Sequence, residues 1–185
     1  MPVREPDQPT TLLVLGGARS GKSIFAEVRL AAIGARKVYL ATATAGDQEM
    51  QARIAHHRAR RGADWRAVEE PLDLVEALQD NARRDCAVLV DCLTLWLSNL
   101  MHAGRDPDRE ALRLVGWLGT APGPVVLVSN EVGLGLVPET ALGRSFRDAQ
   151  GRLNQQVAAV VSEVAFVAAG LPLWLKRAPS SSRSD

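Results

Sequence analysis

Residues Gly16–Ser23 read GGARSGKS, a run of glycines and small residues that ends in a lysine and a hydroxyl. The run satisfies G-x-x-x-x-G-K-[ST] in full, and each residue type in that spacing has a task on a polyphosphate. Glycine lets the backbone turn tightly and aim successive N–H groups at phosphate oxygens. Lys22 is placed to reach the outer phosphates, and the Ser23 hydroxyl to enter the shell of a Mg2+ ion. The segment therefore reads as a P-loop, with Gly16, Gly17, Ala18, Arg19, Ser20, Gly21, Lys22 and Ser23 as nucleotide-binding residues. Arg19 could touch phosphate or substrate, or simply sit in solvent. A glycine-rich turn without a ligand would not require Gly21, Lys22 and Ser23 in that order.

A P-loop that holds magnesium needs an acid nearby, commonly at the end of a neighbouring strand. VLVD, ending at Asp91, supplies one. Its carboxylate could bind the metal directly or through water, and could orient an acceptor hydroxyl. The competing reading is an aspartate that caps the segment after it. In the CLTLWLSN that follows, Thr94 and Asn99 either assist the chemistry or shape the turn and helix.

The third chemical segment is DQEMQARIAHHRARR, Asp47 to Arg61. At helical spacing Arg53, His56 and Arg60 share one face, and Glu49, Arg53 and His57 make a neighbouring stripe. An imidazole between two guanidiniums suits triphosphate chemistry. The arginines offset phosphate charge and disfavour the protonated ring, while neutral His56 can attack phosphorus. An ordinary solvated basic helix would have the same spacing. His102 reads as a loop or helix-end histidine without a task.

The elements that must position these residues follow from the apolar pattern. Thr11–Leu15 is an apolar strand entering the glycine loop, and SIFAEVRLAAIGA leaves it as a helix with Phe25, Val28 and Ile33 near helical spacing. Strands are expected at Lys37–Ala41, around Ala67 and Val68, and at Ala87–Val90, Val125–Val128 and Val164–Val167. Pro172 and Trp174 mark a last edge strand. Helices are expected at Asp47–Arg61, Leu72–Arg84, Leu95–Met101, Arg109–Leu118 and Phe146–Val161. Alternating strands and helices imply an α/β fold with a parallel sheet covered on both faces. One domain over residues 11–176 accounts for the pattern, with residues 1–10 as a flexible leader and 177–185 as a flexible tail.

The chain has 185 residues, with 22 Lys and Arg against 21 Asp and Glu, a formal charge of +1. That balance, with only 4% aromatic residues, argues against a nucleic-acid-binding protein. The C-terminal apolar stretch is broken by Glu163 and Pro172, so no stable membrane insertion is expected, and the chain reads as cytoplasmic. Cys86 and Cys92 lie too far apart for a CxxC motif and read as two free thiols near a core strand. After the fifth major strand, SNEVGLGLVPE forms a glycine-bearing loop where α/β folds place ligands. Its Glu131 could face metal, nucleotide or substrate. Arg147 and Asn154 on the next helix could close a neighbouring subunit's site or lie exposed.

The segments LVLGGARSGKS, VYLATA, DQEMQARIAHHR, VLVDCLTLWLSN, VVLVSNEVGLGLVPE and FRDAQGRLNQQVA together resemble the bifunctional adenosylcobinamide kinase/adenosylcobinamide-phosphate guanylyltransferase family, over roughly residues 11–176. The resemblance implies a single-domain P-loop nucleoside triphosphate-binding fold, RecA-like, with a mostly parallel sheet flanked by helices. It implies phosphorylation of adenosylcobinamide by ATP or GTP, then transfer of GMP from GTP onto adenosylcobinamide phosphate, giving adenosylcobinamide-GDP and pyrophosphate. By the same resemblance His56 carries GMP covalently, and Lys22 and Asp91 join it as catalytic residues, with Ser23 and Asp91 toward Mg2+. Nucleotide contacts carry over to Ala41, Thr42, Ala43, His57, Arg58, Ala59, Arg60, Glu69 and Asp91. Some family members have glutamate at the position of Asp91. The family also implies a homo-oligomer, a trimer, with sites near subunit boundaries. A small-molecule kinase without guanylyl transfer is the alternative enzyme; a nucleotide-operated regulatory module is less favoured, because SNEV does not match an NKxD-type guanine-reading segment.

Overall fold

The computed structural model describes residues 9–33, 36–43 and 65–177. The expected helix at 47–61, with His56, His57, Arg58, Ala59 and Arg60, lies outside the described residues, as do residues 1–8 of the expected leader and 178–185 of the expected tail.

The described chain runs β1 (Thr11–Gly16), α1 (Lys22–Ala31), β2 (Arg36–Ala41), β3 (Trp65–Glu69), α2 (Leu74–Asn81), β4 (Cys86–Asp91) and α3 (Leu93–His102). It continues through α4 (Pro107–Leu118), β5 (Val125–Asn130), α5 (Ala141–Val160), β6 (Glu163–Ala168) and β7 (Leu171–Lys176). Among the described residues the strands form one sheet in the order β3-β2-β4-β5-β1-β6-β7. All pairings are parallel except β6 with β7, which is antiparallel. The α/β class and the edge strand follow the pattern of the sequence. Pro172 is accommodated because β7 is that edge, where a missing N–H breaks no ladder.

Alternation along each strand sends neighbouring side chains to opposite faces. Leu13, Leu15, Val88, Val90, Val125 and Leu127 join one core with Leu74, Leu78, Leu93, Trp96, Leu114 and Leu153 of the helices α2, α3, α4 and α5. Leu12, Val14, Tyr39, Leu89, Val126 and Val128 face the other way, onto Ala26 and Leu30 of α1. The buried stripe of α1 is Lys22, Ala26 and Leu30, and not the Phe25, Val28 and Ile33 set expected from the sequence. Val28 is 64% exposed, since it lies off the buried stripe that α1 turns to the sheet.

Capping sets several of the other boundaries. α5 begins five residues earlier than the apolar pattern suggests, because the Thr140 side chain accepts the Gly143 N–H and starts the helix there. Asp106 does the same for α4, accepting from Asp108 and Arg109 ahead of Pro107. α2 ends at Asn81, short of the expected Arg84, where the chain turns extended at Ala82. No helix of the described residues is long and apolar enough to cross a membrane.

Candidate functional site

The C-terminal ends of the parallel strands form one edge, and the residues read as chemical collect there. In register along it lie Glu69 of β3, Ala41 of β2 and Asp91 of β4, with Gly16 of β1 level with Asn130 of β5. Parallel strands place all their C-terminal ends on one side, so residues far apart in sequence arrive together.

The glycine loop connects β1 to α1. Gly16 is required by close approach, since a Cβ there would lie 2.4 Å from the Val167 carbonyl oxygen. Gly21 has φ +95, a left-handed conformation that glycine adopts without penalty, and a Cβ there would also press on Gly170. Arg19 is left-handed too, with φ 54, a conformation uncommon for a residue with a side chain. The loop is tied down by Gly170 N–H donating to the Ser20 carbonyl at 2.8 Å and by Glu131 N–H donating to the Gly16 carbonyl at 3.1 Å. α1 then starts at Lys22 with no side-chain cap, so its first N–H groups point at the loop. The buried Ser20 hydroxyl has no hydrogen-bond partner among the described residues. Such a loop, with backbone donors free at a helix start, has the chemistry to hold an anion.

Lys22 is 9% exposed, and its ammonium donates to the Gly17 carbonyl at 2.9 Å. It is also close enough to the end of β4 to lower the Cys92 thiol pKa electrostatically. Asp91 continues the face of β4 set by Leu89, onto which Ala26 and Leu30 of α1 pack, so the start of α1 and Asp91 lie on the same side of the sheet. That thiol is nonetheless pushed up to about 11, first by burial and then by the Asp91 charge. It stays protonated and is not a nucleophile at neutral pH. Cys86 and Cys92 are both free and buried, as expected of core thiols.

Asp91 is half-buried, and the Tyr39 hydroxyl donates to its Oδ2 at 3.3 Å. It does not cap the following helix: the cap position of α3 is Cys92, and no side chain caps it. Thr42 fixes the turn beside it. Its hydroxyl accepts from Cys92 N–H at 2.9 Å and donates to the Cys92 carbonyl at 2.7 Å, while its own N–H donates to the Asp91 carbonyl. Asn99 donates to the carbonyls of Thr42 and Pro71, and Thr94 accepts the Asn130 N–H at 2.8 Å. Thr94 and Asn99 thus shape the site's frame. Glu69 is exposed at the end of β3, and Ala43 is half-buried just past β2.

Glu131 bends back on its own loop and accepts the Gly133 N–H at 2.7 Å. Asn154 is neither exposed nor turned toward a neighbour: it is 5% exposed, accepts from Ser129 and Gln150, and donates to the Asn130 carbonyl at 3.1 Å. Arg147 is half-buried and pairs with Asp148. His102 ends α3, with its Nδ1 at 2.7 Å from the Ser98 carbonyl, away from the strand ends. Tyr39, Ser129 and Gln150 were not among the residues singled out by sequence. Tyr39 was hidden as one apolar position in a strand. Gln150 and Asn154 recur at helical spacing within an apolar stripe, a signal that was present but ambiguous.

No group of three or more His, Cys, Asp or Glu side chains able to hold a metal exists among the described residues. A magnesium ion carried on nucleotide phosphates needs only one or two protein oxygens, and it prefers hard donors. The Ser23 hydroxyl and the Asp91 carboxylate are hard oxygen donors of that kind, and the protonated Cys92 offers no competing thiolate.

A family model described as cobinamide kinase / cobinamide phosphate guanyltransferase matches residues 12–175. A bifunctional adenosylcobalamin biosynthesis protein, CobP, of Pseudomonas aeruginosa is 51% identical over 170 residues, spanning 90% of this chain and 98% of its own length. The bifunctional adenosylcobalamin biosynthesis protein CobU of Escherichia coli is 41% identical, and that of Salmonella typhimurium 40%, each over 180 residues, 89% of this chain and 99% of their own length.

Proposed function

The chain belongs to the cobinamide kinase / cobinamide phosphate guanyltransferase family, and on that premise we propose how its residues divide the two reactions. The protein is a bifunctional adenosylcobinamide kinase and adenosylcobinamide-phosphate guanylyltransferase of cobalamin biosynthesis. The observation that carries the residue-level reading is that the Gly16–Ser23 loop, the start of α1 and Asp91 share one face of the sheet at its C-terminal edge. The glycine loop is the P-loop of ATP or GTP, and the arrangement of strand, loop and helix around it supports a RecA-like reading of the fold.

In the kinase step the loop's N–H groups and Lys22 hold the phosphates and offset their growing charge. Asp91, steadied by Tyr39, orients the acceptor hydroxyl, and with Ser23 it would hold magnesium. When bound, Mg2+ neutralises phosphate charge and polarises the transferred group. Ala41, Thr42, Ala43 and Glu69 border the nucleotide from the ends of β2 and β3. In the transfer step neutral His56 attacks the α-phosphorus of GTP. A nitrogen–phosphorus bond forms and pyrophosphate departs with the broken bond's electrons. The phosphate of adenosylcobinamide phosphate then displaces His56. His57, Arg58, Ala59 and Arg60 contact the guanine nucleotide.

The exposed Leu134, Leu136 and Val137 beside the site, and Leu171, Leu173 and Leu175 on β7, support assembly into a homo-oligomer, a trimer by family resemblance. The cytoplasm is the compartment this reading assigns. Incubation with α-labelled GTP and magnesium tests the division of labour. A GMP adduct stable to base, lost in acid and mapped to His56 is expected. An active protein without such an adduct, or with one at another residue, contradicts it.

A further inference from the structure

Asn130 stands at the end of β5, between the two strands whose ends carry the chemistry. β5 pairs with β1 on one side, Asn130 level with Gly16, and with β4 on the other, Asp91 level with Val128. Along β5, Val125 and Leu127 face the four-helix core, while Val126 and Val128 face α1. Ser129 continues the first set, because its hydroxyl donates to Asn154 of α5. Asn130 therefore continues the second set, on the face where α1 begins and where Tyr39 meets Asp91.

Its backbone is held from both sides by side chains. Thr94 accepts its N–H at 2.8 Å, and Asn154 donates to its carbonyl at 3.1 Å. Asn154 is in turn oriented by two donors, Ser129 Oγ at 2.7 Å and Gln150 Nε2 at 3.0 Å, both striking Oδ1. That leaves Nδ2 to face Asn130. Ser129 and Gln150 are fully buried, and the Gln150 amide N–H donates to both the Ser129 hydroxyl and Asn154 Oδ1, each at 3.0 Å, so the desolvation of these donors in an otherwise apolar core is offset within the cluster. All of this rigidity serves a residue whose own carboxamide makes no hydrogen bond to any described residue.

We propose that Asn130 is a further phosphate-contacting residue of the kinase step, donating from Nδ2 to an oxygen of the phosphoryl group in transfer, with Thr94 and Asn154 as its positioning residues. This rests on the assignment of Gly16–Ser23 to the nucleotide phosphates. In that step the substrate's alcohol oxygen bonds to the γ-phosphorus. The bond from that phosphorus to the β–γ bridging oxygen breaks, its electrons leave on the nucleoside diphosphate, and the alcohol proton passes to water. Asn130 neither gains nor loses a proton. Its donor strengthens as charge shifts onto the equatorial oxygens.

The test compares wild type with Asn130→Ala and Asn130→Asp, resolving the two reactions by supplying adenosylcobinamide for one and its phosphate for the other. Asn130→Ala is expected to lower kcat of phosphorylation about 100-fold, with KM for the corrinoid and the guanylylation rate each changed less than about threefold. Asn130→Asp is expected to fall further, since a carboxylate would repel the phosphoryl oxygens. A merely structural role would lower both activities in parallel and spare no distinction between alanine and aspartate. That result, or phosphorylation by Asn130→Ala within about threefold of wild type, overturns the proposal. A wild-type protein that fails to phosphorylate at all would instead sink the assignment beneath it.

Discussion

The two faces of the sheet are cut from the same strands, one residue in two to each, and they are finished differently. The face under α2, α3, α4 and α5 is closed by leucines, with Trp96 1% exposed and its indole N–H donating to the Leu72 carbonyl at 2.9 Å. The face under α1 also has an apolar floor, but its upper edge is polar: Lys22, Tyr39 and Asp91 lie there. One face stores stability and the other carries charge that a ligand must complete. Substitutions on the two should therefore separate into losses of folding and losses of rate.

The largest effect belongs to the closed face. Trp96→Ala should cost about 3–5 kcal/mol in denaturant unfolding, through lost packing and an orphaned carbonyl. The fraction that remains folded should keep its kcat. A proportional fall in kcat would show that the closed face also tunes the site.

Next comes the thiol at the boundary. The Cys92 pKa is raised from 9.0 to about 11, so the folded state holds a proton that the unfolded chain releases earlier. Its contribution to stability is full below pH 9 and is lost as pH climbs through about 11. Over that window the loss is about 2–3 kcal/mol. Cys92→Ala should make the alkaline decline of stability shallower, and an unchanged slope would remove burial of this thiol as its cause.

A smaller shift is expected at Tyr39→Phe, which deletes the hydroxyl at Asp91. Stability should change by about 1 kcal/mol or less, while kcat of phosphorylation falls about tenfold. Equal effects on both quantities would blur the division between the faces. The weakest effect lies at the opposite end of the strands, where Arg36 pairs with Asp85 at 2.5 Å with both side chains mostly exposed. Arg36→Ala should alter stability by about 1 kcal/mol at most and leave both activities intact.

The same contrast explains what could be read from sequence. GGARSGKS and VLVD are local patterns in which each residue has its own task, so spacing placed Lys22 at a helix start and Asp91 at a strand end. The alternation of strands and helices likewise gave the parallel sheet. The order β3-β2-β4-β5-β1-β6-β7 was not legible, because nothing in a strand's own sequence names its neighbour. Val28 looked like core, since a helix's apolar residues do not reveal which face a sheet will meet. Asn154, read as either closing a neighbouring subunit's site or lying exposed, is buried instead, with Ser129 and Gln150 donating to its amide oxygen. Thr42 gave no hint that its hydroxyl would bind both ends of Cys92 across the sheet. The segment 47–61, with His56, lies outside the described residues, and the labelling experiment is what tests its expected part.

The proposed chemistry requires Lys22 to serve phosphate beyond its 2.9 Å contact with the Gly17 carbonyl. Steady-state phosphorylation of adenosylcobinamide by Lys22→Met, with its melting temperature measured alongside, tests this most directly. The prediction is a fall in kcat of at least about 100-fold with melting within about 3 °C of wild type. A folded Lys22→Met protein that phosphorylates within about threefold of the wild-type rate would contradict it.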